Sequence, residues 1–197
     1  MNPRVIPEMR QPSVFEHTLD LTKSDETRVF GAVHSIASQS APPAPALMRI
    51  SVSRTVGVDR RRLFTWSQDY GRRLVWDNFL IDAYLLDGTT ADVGVDAFCR
   101  SQSGATMVSR YISYRPPQVA AVEMVEGPKV LERFSGSWNF TEHTPGSTEV
   151  KFTYHFRAQP SWLRWLLEPL IGAFYLVQTR RRLDSFKRWA EAEALPH

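Results

Sequence analysis

The stretch SWLRWLLEPLIGAFYLVQTRRRLDSFKRWAEAEAL, Ser161 to Leu195, decides the fold. Leu166, Ala173, Leu176, Leu183, Phe186 and Ala190 recur on one stripe at steps of seven, three and four, the spacing of a single helix face. A second stripe, Leu163, Leu167, Leu170, Phe174 and Val177, widens the apolar face in the first half only. Pro169 either kinks this helix or starts it, with Ser161 to Glu168 then a separate turn. Before Gln159-Pro160 the pattern is different: from Phe79 to Arg157 short alternating segments are broken by turn residues. A run of strands closed by one long helix buries both apolar faces when the sheet curls around the helix, and curled sheets leave a cavity.

Working outward from the helix, Met48 to Val56 alternates Met48, Ile50, Val52 and Arg54 against Arg49, Ser51, Ser53 and Thr55, which marks a first strand. Asp59 stands where an N-cap belongs, ahead of Leu63, Phe64, Trp66, Tyr70 and Leu74 at helical spacing, with Gly71 separating two short helices. Strands follow over Phe79 to Leu86, Val93 to Cys99, Thr106 to Tyr114 and Val119 to Val125. A last hairpin, Val130 to Phe140 and Glu149 to Arg157, turns through Pro145-Gly146. Parallel pairing needs a crossover of a dozen or more residues, so loops this short argue for an antiparallel meander. The expected class is α+β: a curved antiparallel sheet of about seven strands wrapped around a long C-terminal helix, with two short helices after the first strand.

Residues 1–46 differ from the rest, carrying Pro3, Pro7, Pro12, Pro42, Pro43 and Pro45 and few large apolar side chains. They are expected to be a mostly disordered extension, with the domain over residues 47–195. One cysteine, Cys99, excludes an internal disulfide and a multi-thiolate zinc site and fits a reducing compartment. The five histidines lie far apart in sequence, so no local metal motif is present, and no cofactor is expected. Met1 to Arg10 has no apolar stretch, and Trp162 to Val177 is too short and too interrupted to span a bilayer, so a soluble cytoplasmic protein is expected. The net charge of +3 is mild, yet arginines cluster at Arg60 to Arg62, Arg72-Arg73 and Arg180 to Arg182. Solvated helix faces account for such clusters; without interleaved aromatic residues, nucleic acid is not the favoured partner.

The order of these elements resembles the helix-grip fold of the START-like (SRPBCC, Bet v 1-like) superfamily, in its polyketide cyclase/dehydrase and coenzyme-Q-binding branch. The matching pieces run from Ile50 to Ala192. They include Val58-Asp59, Asp69-Tyr70 to Trp76, Asp92-Val93-Gly94, Arg115-Pro116-Pro117, Gly136 to Phe140, Gly146 to Val150 and Lys187 to Glu191. The resemblance implies a hydrophobic ligand, a lipid, isoprenoid quinone or polyketide-like compound, held in an internal cavity. Its members also include cyclases, aromatases and dehydratases, so fold alone does not settle activity.

Strand parity nominates the lining. Val150, Phe152, Tyr154 and Phe156 share one face of the last strand and are expected inside, which turns His155 outward. Val130, Phe134, Gly136, Trp138 and Phe140 face inward by the same argument, and Phe174 joins them from the helix. On the fourth strand, Ser109 and Ser113 as outer residues would turn Arg110 inward, where Glu123 of the fifth strand would pair with it. The opposite register, with Met107 and Tyr111 inside and Arg110 in water, fits the alternation nearly as well. The expected ligand contacts are therefore Arg110, Glu123, Phe134, Trp138, Phe152, Tyr154, Phe156 and Phe174. No nucleophile elbow, paired-carboxylate motif or phosphate loop is visible, which favours binding over turnover. The enzymatic alternative uses Arg110, Glu123 and Tyr154 to orient and protonate a polyketide-type substrate. A third alternative is a regulatory protein that binds a macromolecule through its basic helix faces. Trp162 and Trp165, with Arg180 to Arg182, either pack on the sheet rim or touch a membrane surface transiently.

Overall fold

The computed structural model describes residues 46–195 apart from 87 and 89. The expected extension over residues 1–46 lies outside the described residues, except for Ala46 itself. In chain order the elements are β1 (Met48–Val56), α1 (Arg60–Gln68), α2 (Tyr70–Trp76), β2 (Leu80–Leu85), β3 (Asp96–Ser101), β4 (Thr106–Arg115), β5 (Val119–Glu126), β6 (Leu131–Thr144) and β7 (Ser147–Ala158). A single 3-10 turn, Ser161–Leu163, leads into the 30-residue helix α3 (Arg164–Glu193).

All seven strands join one antiparallel sheet in the order β1-β7-β6-β5-β4-β3-β2. The α1–α2 pair carries the chain from one edge of the sheet to the other, and the meander then walks back until β7 closes on β1. Asp59 caps α1 through Arg62 N–H, as expected. The break between the two helices falls at Asp69 rather than Gly71, because the Asp69 carboxylate accepts from the N–H groups of Gly71 and Arg72 and so starts a new helix. Pro169 is the sixth residue of α3 and does not start it, so its missing N–H lies within the helix.

The inner face of the sheet carries Phe134, Trp138 and Phe140 along β6 and Phe152, Tyr154 and Phe156 along β7, all buried. Trp138 packs against Phe152 with ring centroids 4.5 Å apart, and Phe186 of α3 reaches Trp76 at 4.6 Å and Trp138 at 5.8 Å. Leu183, Phe186 and Ala190 are fully buried and hold the second half of α3 in the palm of the sheet. Burial of a side chain such as Phe186 contributes about 1.5–3 kcal/mol. The first half of α3 is different. There only Ile171, Tyr175 and Leu176 pack on the core, while Leu166, Leu170, Phe174 and Val177 stay exposed.

Candidate functional site: an aromatic cavity with two buried arginines

Between the sheet and α3 lies a cavity of about 110 Å³. Its walls come from every layer of the fold: Phe134, Gly136 and Trp138 of β6, Phe152 and Tyr154 of β7, Met107, Ser109 and Tyr111 of β4, and Tyr175 and Arg182 of α3. Gln68, Tyr70 and Arg73 close it from the helix pair. Gly136 makes space within this wall, since a Cβ there would stand 3.2 Å from Tyr154 Cε1 and 3.3 Å from Phe152 Cζ. The exposed residues among the lining, Ala105 and Thr106, lie at the start of β4 with half-buried Pro128 and Phe79, so the cavity opens toward the β3–β4 and β5–β6 turns.

The polar end is built on Asp77, which is 1% exposed and caps α2. Its carboxylate accepts from Arg182 Nη2 at 2.6 Å, from Arg73 Nε at 3.3 Å and from the Phe79 N–H at 3.2 Å. Arg182 also donates to the Tyr154 hydroxyl at 2.5 Å, and its guanidinium lies over the rings of Phe79 and Phe152, 5.3 and 5.6 Å from their centroids. Burial opposes the charge on each of these groups, but their mutual attraction prevails. Arg73 and Arg182 are both held up by the Asp77 carboxylate, and Asp77 is pulled below the ordinary aspartate range by Arg182 and Arg73. All three are therefore ionised at neutral pH, with two cations sharing one anion.

A second polar group sits at the helix-pair end. The Tyr111 hydroxyl donates to Gln68 Oε1 at 2.9 Å and lies 3.1 Å from the Tyr70 hydroxyl. Burial pushes the phenols of Tyr70, Tyr111, Tyr154 and Tyr175 upward, and the Cys99 thiol likewise. These groups keep their protons near neutrality and offer hydrogen-bond donors rather than bases. Among the described residues no histidine lines the cavity, and no cluster of three metal-ligating side chains forms.

Phe134, Trp138, Phe152 and Tyr154 lie in the cavity wall. Arg110 and Glu123 do not, which corrects the inward reading. They are cross-strand partners, but on the outer face, where Arg110 makes a bidentate pair with Asp96 at 2.7 and 2.8 Å. The misleading residue is Ser109, which is buried and faces the cavity because a hydroxyl is tolerated in its wall. Phe156 is fully buried yet sits outside the lining, in the core near Gly172 of α3. Phe174 is 47% exposed and outside the lining, meeting Phe79 at the cavity mouth; the next residue, Tyr175, takes the inner position. Val130 is exposed, because a register shift between Leu131 and Arg133 brings Leu131 to the buried face instead. His155 lies on the outer face, half-buried. Arg182, read with the surface cluster Arg180 to Arg182, is 5% exposed and belongs to the cavity.

Residues 48–191 match the family described as polyketide cyclase / dehydrase and lipid transport. No curated protein matches the chain. Among solved structures, the Zhui aromatase/cyclase of a Streptomyces species is similar with a TM-score of 0.64 at 14% identity, over 76% of this chain and 96% of that one. A START superfamily protein from Mycobacterium smegmatis gives 0.61 at 10% identity, over 74% and 99%. A norcoclaurine synthase point mutant from Thalictrum flavum, bound to a transition-state analogue, gives 0.58 at 13% identity, over 75% and 96%. At these identities the likeness is one of fold.

Proposed function

Starting from the polyketide cyclase / dehydrase and lipid transport family, to which this chain belongs, we propose that the protein binds a compact hydrophobic small molecule in the cavity beneath α3. The observation that carries the reading is an aromatic wall around open space, where a core without a ligand would pack solid. A dry apolar cavity of about 150 Å³ admits a single benzene ring. The enclosed space found here, about 110 Å³, is no larger, so it suits one compact ring, with the rest of a polyketide-like ligand extending through the mouth, better than a fully enclosed lipid or isoprenoid tail. Mass spectrometry of organic extracts, together with displacement of the neutral fluorophore N-phenyl-1-naphthylamine, tests this. The expected result is a stoichiometric ligand or saturable probe binding that a cavity-filling Gly136→Leu variant loses. Clean extracts and no saturable binding would refute it.

Loading at a lipid surface extends the same reading. The exposed face of α3 runs from Leu166 through Leu170, Phe174 and Val177 into Arg180 and Arg181, preceded by Trp162 and Trp165 at 74% and 75% exposure. Apolar residues, interfacial tryptophans and adjacent arginines are the composition that anionic lipid headgroups attract. The face adjoins the cavity mouth through the Phe174–Phe79 contact. Among the described residues no helix is long and apolar enough to cross a membrane, so this contact is peripheral. Cosedimentation with phosphatidylserine-containing vesicles is expected, weakened by salt and by Trp162→Ala/Trp165→Ala. Equal recovery with neutral vesicles, or burial of this face in a dimer seen by sedimentation, would overturn the proposal.

A catalytic reading is favoured by one observation, the Tyr154 hydroxyl held by Arg182 inside the cavity. A protonated phenol beside a guanidinium can polarise a substrate carbonyl, as cyclisation or dehydration requires. Tyr154→Phe should then abolish turnover of a candidate polyketide while leaving probe binding intact. Unchanged turnover would remove Tyr154 from the chemistry, and no turnover by the wild type would leave the binding reading alone.

A further inference from the structure

We propose that the ligand of this cavity is an organic anion, a compact ring bearing a carboxylate or an equally acidic oxygen, with that group seated against Arg73 and Arg182. The inference rests on the cavity-binding reading above and names the chemistry of its occupant.

Three observations support it. Arg73 and Arg182 are the charged residues among those that line the cavity, and no carboxylate shares the lining among the described residues. Both arginines draw on one anion, Asp77, whose Oδ2 lies 3.3 Å from Arg73 Nε and 2.6 Å from Arg182 Nη2, so one positive charge is left over in a buried site. Finally, Arg182 Nε is buried and has no hydrogen-bond partner, whereas Nη1 donates to Tyr154 and Nη2 to Asp77.

An excess buried cation with an orphaned donor is expensive in a wall of aromatic rings, and the expense falls when a second anion enters. A carboxylate or enolate oxygen does this; a neutral amide or ester does so only through its dipole. Guanidinium groups suit oxyanions because their N–H donors form a planar fork. The rest of the ligand would lie toward Trp138 and Phe152, whose faces form the apolar side of the same cavity. Tyr70 and Tyr111, at the helix-pair end, supply neutral hydroxyl groups for further oxygens on the ring.

A matched pair of probes tests the inference. 2-Naphthoate and its methyl ester share a ring and differ in charge, and their binding to the wild-type protein can be measured by calorimetry at pH 7. The expected result is that naphthoate binds at least tenfold more tightly than the ester. The preference should survive an increase from 0.05 to 0.5 M salt, because a buried pair is screened much less than exposed arginines such as Arg180 and Arg181. In Arg182→Gln, which leaves Arg73 balanced by Asp77, the preference should fall to within about threefold, since a one-to-one pair has no surplus charge to offer. Should that variant fail to fold, the wild-type comparison still decides. If the ester binds as well as the acid, or if salt erases the difference, the anion proposal is overturned while hydrophobic binding stands. If neither probe binds, both proposals are overturned.

Discussion

Replacing Asp77 with asparagine removes the one charge that holds two buried arginines, so Asp77→Asn is the most demanding test of the polar cluster. The side chain is inaccessible and accepts three hydrogen bonds, from Arg182 at 2.6 Å, the Phe79 N–H at 3.2 Å and Arg73 at 3.3 Å. Asparagine keeps the shape but leaves both guanidinium groups uncompensated, and breaking a buried pair in this way costs about 3–5 kcal/mol. Domains of this size shift by about 2–4 °C per kcal/mol, so the midpoint of thermal unfolding should fall by roughly 6–20 °C. Urea unfolding followed by tryptophan fluorescence reports the same loss as a lower midpoint at unchanged slope, with Trp76 and Trp138 close to the site. The pH dependence has a definite sign. Because the folded protein depresses the Asp77 pKa, its carboxylate contributes stability above the unfolded aspartate value of about 3.9. That contribution is lost as the pH falls through the folded value. Wild type and variant should therefore differ most near neutrality and converge in acid. A loss below about 1 kcal/mol at pH 7, or a gap that widens on acidification, would refute the account of the cluster.

Three further substitutions probe the rest of the site. Gly136→Ala places a methyl group 3.2–3.3 Å from two ring atoms, so it should destabilise the fold by about 1–3 kcal/mol and weaken probe binding; an unchanged melt with unchanged binding would show the wall to be loose. Tyr111→Phe strands the acceptor Gln68 Oε1, and about 1–3 kcal/mol should be lost in a denaturant melt. Arg110→Ala, on the outer face with its side chain half exposed, should change stability by no more than about 1 kcal/mol and leave probe affinity untouched; a large effect on binding would contradict its placement.

The alternation of Met48 to Val56 was sufficient to bound β1 to the residue, because one face is apolar and the other polar without exception until Arg54. The aromatic parity of β6 and β7 was equally clear, since a run of rings at every second position has only one face to bury. Legibility failed on β4 and β5. Both faces of β4 carry hydroxyls and large side chains, and register shifts between Val108 and Ser109 and between Tyr111 and Ser113 interrupt the period. Serine there marks the cavity wall rather than solvent. The buried arginines were hidden by their neighbours, Arg72 beside Arg73 and Arg180-Arg181 beside Arg182, which read as charged surface. A signal was nevertheless present: Thr179, Arg182, Phe186 and Ala190 follow one helix face, and Arg73 and Asp77 stand four residues apart. A charged residue on an apolar stripe is the pattern by which this centre could have been found.

The unequal burial along α3 makes the helix a cantilever. Its far end is clamped by the fully buried Leu183, Phe186 and Ala190, whereas its first half rests on the half-buried Ile171, Tyr175 and Leu176 and on polar ties from Arg164 and Glu168 to Ala158 and from Arg164 to Glu132. The first half buries less apolar surface than the clamp, so it is expected to part from the sheet at lower cost, while the domain stays folded. Amide exchange along the helix should therefore be graded, fast near Leu170 and slow near Phe186, and traffic into the cavity would follow the faster end.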